Sequence, residues 1–543
     1  MADRIVEGLF FDELMAKCEK TPDFTIVTFE NGEFPDEPLT YHDLFANTCR
    51  VARWLKDAGI GKGDRFSLIM RNHPEFLYCL GAASVLGAVV VPIDPRSKGS
   101  KLSYQIRDSS SKGIIFTDEF RPEVENSLAD LDGVKVLGVV YKKGFDAPAS
   151  SPYPDFGEIL CGPEVPPIDG RNDDLKSPFE IIYTSGTTGD PKGVLIKANR
   201  MPMFKLLAQF VWGYTENDKL YTGLSLTHGN AQAVTLVPSL MLGIPSVISR
   251  RFTKARLWDI CRKHGCTTFS LLGGMMMGIY SEPRKPGDAD NPVRKVISAG
   301  TPKAIWEAFE KRFDVKIHEW YAAVEGGFAH NPPGAGPVGS FGKTLEGVMD
   351  MKVVREDDTE CAPGELGELV FIPKDGKAEV EYVGKKKASE EKTRGGVLRS
   401  GDMCHQDEDG WFYFDFRKGG GLRRQGDFIQ PEYVEKVLAD LDDVSDVCVY
   451  GIPAETGAPG ESDIVAAVVP APGRSIDPGA VFAALADSLD NNSMPSFLQV
   501  VEEIPKSASE KNLDRILRDE FRKDAPNVHA YRPRGGKKAA GPA

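Results

Sequence analysis

The chain has 543 residues, more than one hydrophobic core usually serves, so two or more structural units are expected. With 41% hydrophobic and 27% charged residues its composition is that of an ordinary globular protein, which excludes a fibre, a coiled coil or a disordered chain. A net charge of -14 excludes the broad basic field that nucleic acid or an anionic membrane surface requires.

The opening Met1 to Phe10 is broken by Asp3, Arg4 and Glu7, and no apolar run reaches membrane-spanning length, so a cytoplasmic protein is expected. Segments from Ala46 to Ala58, Phe66 to Met70, Phe76 to Leu86 and Ala88 to Ile93 alternate helical with short apolar, β-branched character. That rhythm predicts α/β units on a mostly parallel sheet. A further cycle is expected from the strand Phe179 to Tyr183, through a glycine-rich loop, into a helix Met201 to Trp212 capped by Asn199. Pro302 is expected to open a helix carrying Ile305, Trp306, Phe309 and Phe313 on one face, followed by a strand Val315 to His318 whose trailing loop suits chemistry.

From Pro363 the texture turns to strand and turn, in Gly364 to Phe371 and Gly410 to Phe414, which predicts a β subdomain over about 335–417. Gly419-Gly420-Gly421 is the strongest internal break, because glycines absorb backbone rotations that other residues resist. The expected organisation is a large N-terminal α/β domain of sheet layers (1–417), a small, mobile α+β C-terminal domain (418–528) and a disordered tail (529–543). Nine cysteines stand without a CxxC pair, and even Cys261 and Cys266 around His264 make a poor zinc set, so reduced thiols are expected.

The sharpest chemical signal is Tyr183-Thr184-Ser185-Gly186-Thr187-Thr188-Gly189-Asp190-Pro191-Lys192-Gly193. Glycines free the backbone N–H groups to turn toward a ligand, hydroxyls sit among them, and Lys192 adds a positive charge. The string suits a polyphosphate, yet lacks the GK[ST] ending of a P-loop NTPase.

This string resembles the phosphate loop of the adenylate-forming superfamily, which holds acyl-CoA synthetases, nonribosomal adenylation domains and firefly luciferase. Further motifs follow in family order from Leu39-Thr40-Tyr41 to Lys511, most like carnitine-type CoA ligases and the fatty-acid transport branch. The resemblance implies ATP, Mg²⁺, coenzyme A and a small carboxylic acid as ligands. Ser185, Gly186, Thr187, Thr188, Gly189 and Lys192 would hold phosphates, and Glu325 with Thr184 the metal. In His318 to Gly326, Tyr321 would stack on adenine beside Trp320, and Glu319 would accept from its amino group, while Val324 replaces the family's threonine. Gly300 and Thr301 would line the adenine. Asp402, in Arg399-Ser400-Gly401-Asp402, would take the ribose hydroxyls, and Arg417 fifteen residues later would contact ribose or phosphate.

Lys511, in Pro505-Lys506-Ser507-Ala508-Ser509-Glu510-Lys511, is the implied adenylation lysine, with Glu510 where the family carries glycine. Its ammonium would reach both the carboxylate and the α-phosphate. His228 would gate the acyl pocket, with Gln232, Gly273, Gly274, Met277, Ala323 and Gly327 around it, the small residues suggesting room for a bulky acid. Arg423, Arg424 and Gly426 would serve the CoA channel. The expected activity is acyl-AMP formation followed by transfer to CoA. Transfer to a carrier protein, a luciferase-like oxygenase and a non-catalytic acid-binding or transport protein remain alternatives. No pattern specifies the oligomeric state, and a homodimer is admitted.

Overall fold

The computed structural model describes residues 8–142, 151–184, 191–374, 376–418, 422–424, 427–429, 431–454, 462–489, 493–507 and 510–531. Two sheets built mostly of parallel strands dominate the larger, N-terminal part. One has six strands in the order Lys135–Val140, Gly113–Thr117, Arg65–Ile69, Val89–Pro92, Pro178–Thr184 and Lys192–Lys197, antiparallel only at the last pair. The other has eight, with Glu37–Thr40 and Gly326–Asn331 as antiparallel edges. Helix Pro74–Leu86 is buried along nearly its whole length and shares one apolar cluster with strands of both sheets, as a helix apolar on every side must. Its neighbour Tyr41–Asp57 starts on a capping box in which Thr40 Oγ1 accepts from the Asp43 N–H and Asp43 accepts from the Thr40 N–H.

The predicted β region is a four-stranded antiparallel sheet, Met349–Val354, Gly367–Pro373, Leu398–Gln406 and Phe412–Arg417. The smaller C-terminal part carries helices Pro431–Ala439 and Pro478–Ser488 on a sheet of Val444–Pro453, Ser462–Pro470, Phe497–Val500 and Val528–Ala530. Among the described residues no helix is long and apolar enough to cross a membrane.

Five local expectations are corrected. The strand Pro178–Thr184 does not lead into a helix. It folds back on Lys192–Lys197, so the glycine-rich string bridges a hairpin, because Val194 to Lys197 alternates buried with partly exposed positions suited to a sheet. Asn199 makes no side-chain cap on the helix Arg200–Phe210, lying already in helical backbone. The helix predicted from Pro302 begins at Trp306, and the strand predicted over Val315 to His318 runs on to Ala323. The disorder predicted over 529–543 does not hold for its first residues: His529 and Ala530 pair with Leu498 and Phe497, and the Tyr531 ring lies 5.3 Å from that of Phe482, while 532–543 lie outside the described residues.

Candidate active site

Strand register assembles the site. In the hairpin, Thr184 stands opposite Lys192, so the two ends of the glycine-rich string face each other. Thr184 Oγ1 donates to the Lys192 carbonyl at 3.4 Å. Ser185, Gly186, Thr187, Thr188 and Gly189 lie outside the described residues.

Glu325 sits at the tip of the next hairpin, between Lys316–Ala323 and Gly326–Asn331. Two glycines complete that tip, at φ +134° and +78°, in backbone that side chains resist. Its carboxylate accepts from the hydroxyl of Tyr382 at 2.6 Å and lies 4.0 Å from Lys392 Nζ. Tyr382 also places its ring 5.2 Å from Lys192 Nζ, and the Val383 N–H donates to the Gly193 carbonyl. Lys392 donates to the Ser400 carbonyl at 2.9 Å, and burial lowers its pKa while Glu325 raises it. Neither Tyr382 nor Lys392 was singled out from the sequence. Only their position against Glu325 marks them.

Asp402 and Arg417 are direct partners across the antiparallel pair, which explains their spacing of fifteen residues. The Arg417 guanidinium and the Tyr321 hydroxyl both donate to the buried Asp402 carboxylate. The Tyr321 ring packs against Phe341 at 4.9 Å and Phe371 at 5.8 Å. One connected set therefore runs from Thr184 and Lys192 through Tyr382, Glu325 and Lys392 to Asp402, Arg417 and Tyr321.

The turn after strand Lys295–Ala299 is held by Glu319, not by a helix entry. Glu319 accepts from the N–H of Gly300 at 2.6 Å, from that of Thr301 at 3.2 Å, and from the Thr301 hydroxyl. Burial pushes its pKa up to about 8 against these three hydrogen bonds. In this structure the Glu319 oxygens hold the turn that was expected to line adenine. Trp320 likewise packs in an apolar cluster, 5.7 Å from Trp212 and edge-on to it, and serves the core.

The C-terminal part meets the N-terminal part at Gly274. The chain turns back on itself around Lys511, with Ser507 N–H on the Lys511 carbonyl and Leu513 N–H on the Pro505 carbonyl. This turn lies on Gly274, where a Cβ would come 3.1 Å from the Glu510 carbonyl oxygen. Lys511 is close enough to His228 to help lower the imidazole's pKa to about 4, after the larger effect of burial. His228 Nδ1 accepts from the Asn230 N–H at 3.1 Å and carries no proton there. Gln232 follows in a π-helical turn, Ala231–Leu236. Its amide donates to Glu180 at 2.6 Å and to the Leu226 carbonyl at 2.9 Å, so it ties down the His228 loop and is not a free group in a pocket.

The expected room for a bulky acid is also corrected at the glycines. A side chain on Gly273 would overlap the Gly300 carbonyl, one on Gly327 would lie 2.6 Å from the Phe371 ring, and Gly274 is covered by Glu510. These glycines permit close packing. Met277 is buried in the main core, and Ala323 pairs with Gly326 across the Glu325 hairpin. Arg424 donates to the Met494 carbonyl, so it is not free to meet CoA in this arrangement. The side chain of Arg423, and Gly420 and Gly426, lie outside the described residues.

His264 lies 3.5 Å from Asp36, while Cys261 and Cys266 are buried free thiols. Among the described residues no group of three His, Cys, Asp or Glu side chains is placed to hold a metal.

Comparison with known proteins finds long relatives. A long-chain fatty acid transport protein 5 of Homo sapiens is 28% identical over 522 residues, covering 89% of this chain and 74% of that protein. A medium/long-chain-fatty-acid–CoA ligase of Mycobacterium marinum is 26% identical, covering 89% and 92%. Among solved structures, an anthranilate CoA ligase in complex with anthranoyl-AMP superposes with a TM-score of 0.80 at 21% identity, covering 94% of this chain and 97% of that one, and shares the fold. The AMP-binding enzyme profile matches residues 14–372 and that of the AMP-binding enzyme C-terminal domain residues 433–511; the chain belongs to the AMP-binding enzyme family.

Proposed function

We propose that the chain is an ATP-dependent carboxylic acid–CoA ligase working in two steps. A carboxylate oxygen of the acid attacks the α-phosphorus of ATP, forming acyl-AMP and expelling pyrophosphate. The CoA thiolate then attacks the acyl carbonyl, forming the thioester and releasing AMP.

The observation that carries this reading is the meeting of the Lys511 turn with Gly274 and His228, together with the connected set around Glu325 and Asp402. Lys511 brings a mobile ammonium to the place where charge builds as the acid attacks, and such preorganised cations stabilise a transition state more than a ground state. His228, neutral there, adds no repulsion to that ammonium. Lys192 and the glycine-rich string hold the phosphates, and Asp402 with Arg417 fixes the ribose end. Thr184 and Glu325 offer only oxygen donors, which fits Mg²⁺ shared with substrate phosphates and not a cage built wholly of side chains. Bound there, the ion would disperse phosphate charge.

Between the steps the part beyond residue 417 rotates, which withdraws Lys511 and brings Arg423 and Arg424 toward CoA. Free CoA is the acceptor in this reading, with a carrier protein as the alternative. Relatives named for fatty acid transport and for medium- and long-chain ligation put fatty acids first among acids to test.

The test is ATP–pyrophosphate exchange with a panel of carboxylic acids, on wild type and Lys511→Ala, with CoA added separately. Acid-dependent exchange that falls by a hundredfold or more in the variant is expected, as for loss of a charged transition-state contact of about 3 kcal/mol. Exchange with no acid in the panel would overturn the reading.

A further inference from the structure

We infer that Arg96 and Glu510 form a latch between the two parts of the chain that positions Lys511 for the first half-reaction. This rests on the reading of Lys511 given above. Arg96 belongs to the N-terminal part, just after strand Val89–Pro92. Its guanidinium donates to the Lys506 carbonyl at 3.0 Å and stands 3.9 Å from the Glu510 carboxylate, so it grips both sides of the turn that presents Lys511. Asp94 holds Arg96 in place: its carboxylate accepts from the Arg96 N–H at 3.0 Å and lies 3.5 Å from Nε.

Glu510 is the second observation. Its backbone has φ +56°, left-handed and disfavoured for a side chain such as glutamate. Strained backbone of this kind persists only where its surroundings over-determine it. Here the Glu510 N–H donates to the Ser507 carbonyl at 2.8 Å, its carbonyl rests against Gly274, and its carboxylate faces Arg96. A glycine would adopt the same turn without strain but would offer Arg96 no charge. Glutamate at this position therefore gives up local backbone freedom for an ionic contact across the two parts.

Arg96 and Glu510 touch no reacting atom in this account and act through Lys511 as positioning residues. Other contacts cross the same boundary, from Lys254 Nζ to the Ser445 carbonyl at 2.7 Å and from the Tyr280 hydroxyl to Asp440 at 3.1 Å. Loss of the latch alone should leave the two parts docked while loosening the lysine.

The two half-reactions separate the possibilities in the full-length enzyme: exchange reports the first, and CoA-dependent consumption of presynthesised acyl-AMP reports the second. Arg96→Ala should slow exchange about tenfold, since it loses a hydrogen bond and a half-exposed ion pair together. It should leave the second half-reaction unchanged or faster. Arg96→Lys should recover part of the loss, and Glu510→Gln, which keeps the backbone but not the charge, should slow exchange about threefold. Tyr280→Phe is the control for docking in general. Equal slowing of both half-reactions by Arg96→Ala, or the same bias toward the second half-reaction in Tyr280→Phe, would overturn the latch. Lys511→Ala, run beside them, isolates the premise: if it exchanges normally the assignment of Lys511 fails, whereas its loss with an unchanged Arg96→Ala fails the latch alone.

Discussion

Tyr382→Phe probes the centre of the site with one atom. The hydroxyl it removes is a donor to Glu325, at 2.6 Å, while the ring that lies 5.2 Å from Lys192 is kept. The Glu325 side chain is only 9% exposed, so water does not readily replace the lost donor, and Lys392 at 4.0 Å is too far to form a good hydrogen bond in its stead. A hydrogen bond to a charged group contributes about 1.5–3 kcal/mol, and about 1.4 kcal/mol is tenfold, so kcat/KM for MgATP in the exchange reaction should fall about ten- to a hundredfold. The effect should shrink little when Mg²⁺ is raised, because the lost contact orients the carboxylate and does not replace the ion. Thioester formation from presynthesised acyl-AMP should stay close to wild type, which also certifies the fold. Exchange kinetics unaltered within twofold would refute the view that Tyr382 sets the orientation of Glu325.

Two further substitutions test other parts of the structure. Gly273→Ala would drive a methyl into the Gly300 carbonyl, so either the turn bearing Gly300 and Thr301 shifts or the fold gives way; a loss of about 3 kcal/mol or more in chemical denaturation is expected, and a stability within 1 kcal/mol of wild type would contradict the packing. Glu180 is buried with one oxygen unpartnered, and burial raises its pKa from an ordinary 4.5 to about 7, against the hydrogen bond from Gln232. A raised carboxyl contributes stability that is complete below 4.5 and is lost as pH rises through 7, a change of up to about 3 kcal/mol. Glu180→Gln should therefore flatten the decline in urea stability between pH 5 and pH 8, and an unchanged slope would show that Glu180 is ionised in the fold throughout.

The chemical residue types were legible from the string alone, since glycines, hydroxyls and Lys192 within eleven positions have few structural uses. The same holds for the alternation that predicted mostly parallel sheets. What surrounds those residues was not legible. Asp402 and Arg417 read as a spaced pair, but only antiparallel register makes them neighbours. Glu319 looked available to a ligand because sequence cannot show that two N–H groups and a hydroxyl of the Gly300 turn already claim it. Gly273, Gly274 and Gly327 looked like empty space, whereas the volume they vacate is filled by a carbonyl, a second carbonyl and a ring from distant segments.

Sequence by itself thus determined the local vocabulary: which stretches are strands or helices, where backbone can turn sharply, and which side chains can carry charge to a phosphate. These follow from periodicity and residue chemistry over a few positions, where the interactions are short-ranged. Tertiary structure alone decided the partners: Tyr382 on Glu325, Arg96 against Glu510 across more than four hundred residues, and Lys511 near His228. Those contacts depend on sheet register and on how the two parts dock. A single polar residue in an aperiodic stretch has no sequence signature until the fold brings it within hydrogen-bonding distance.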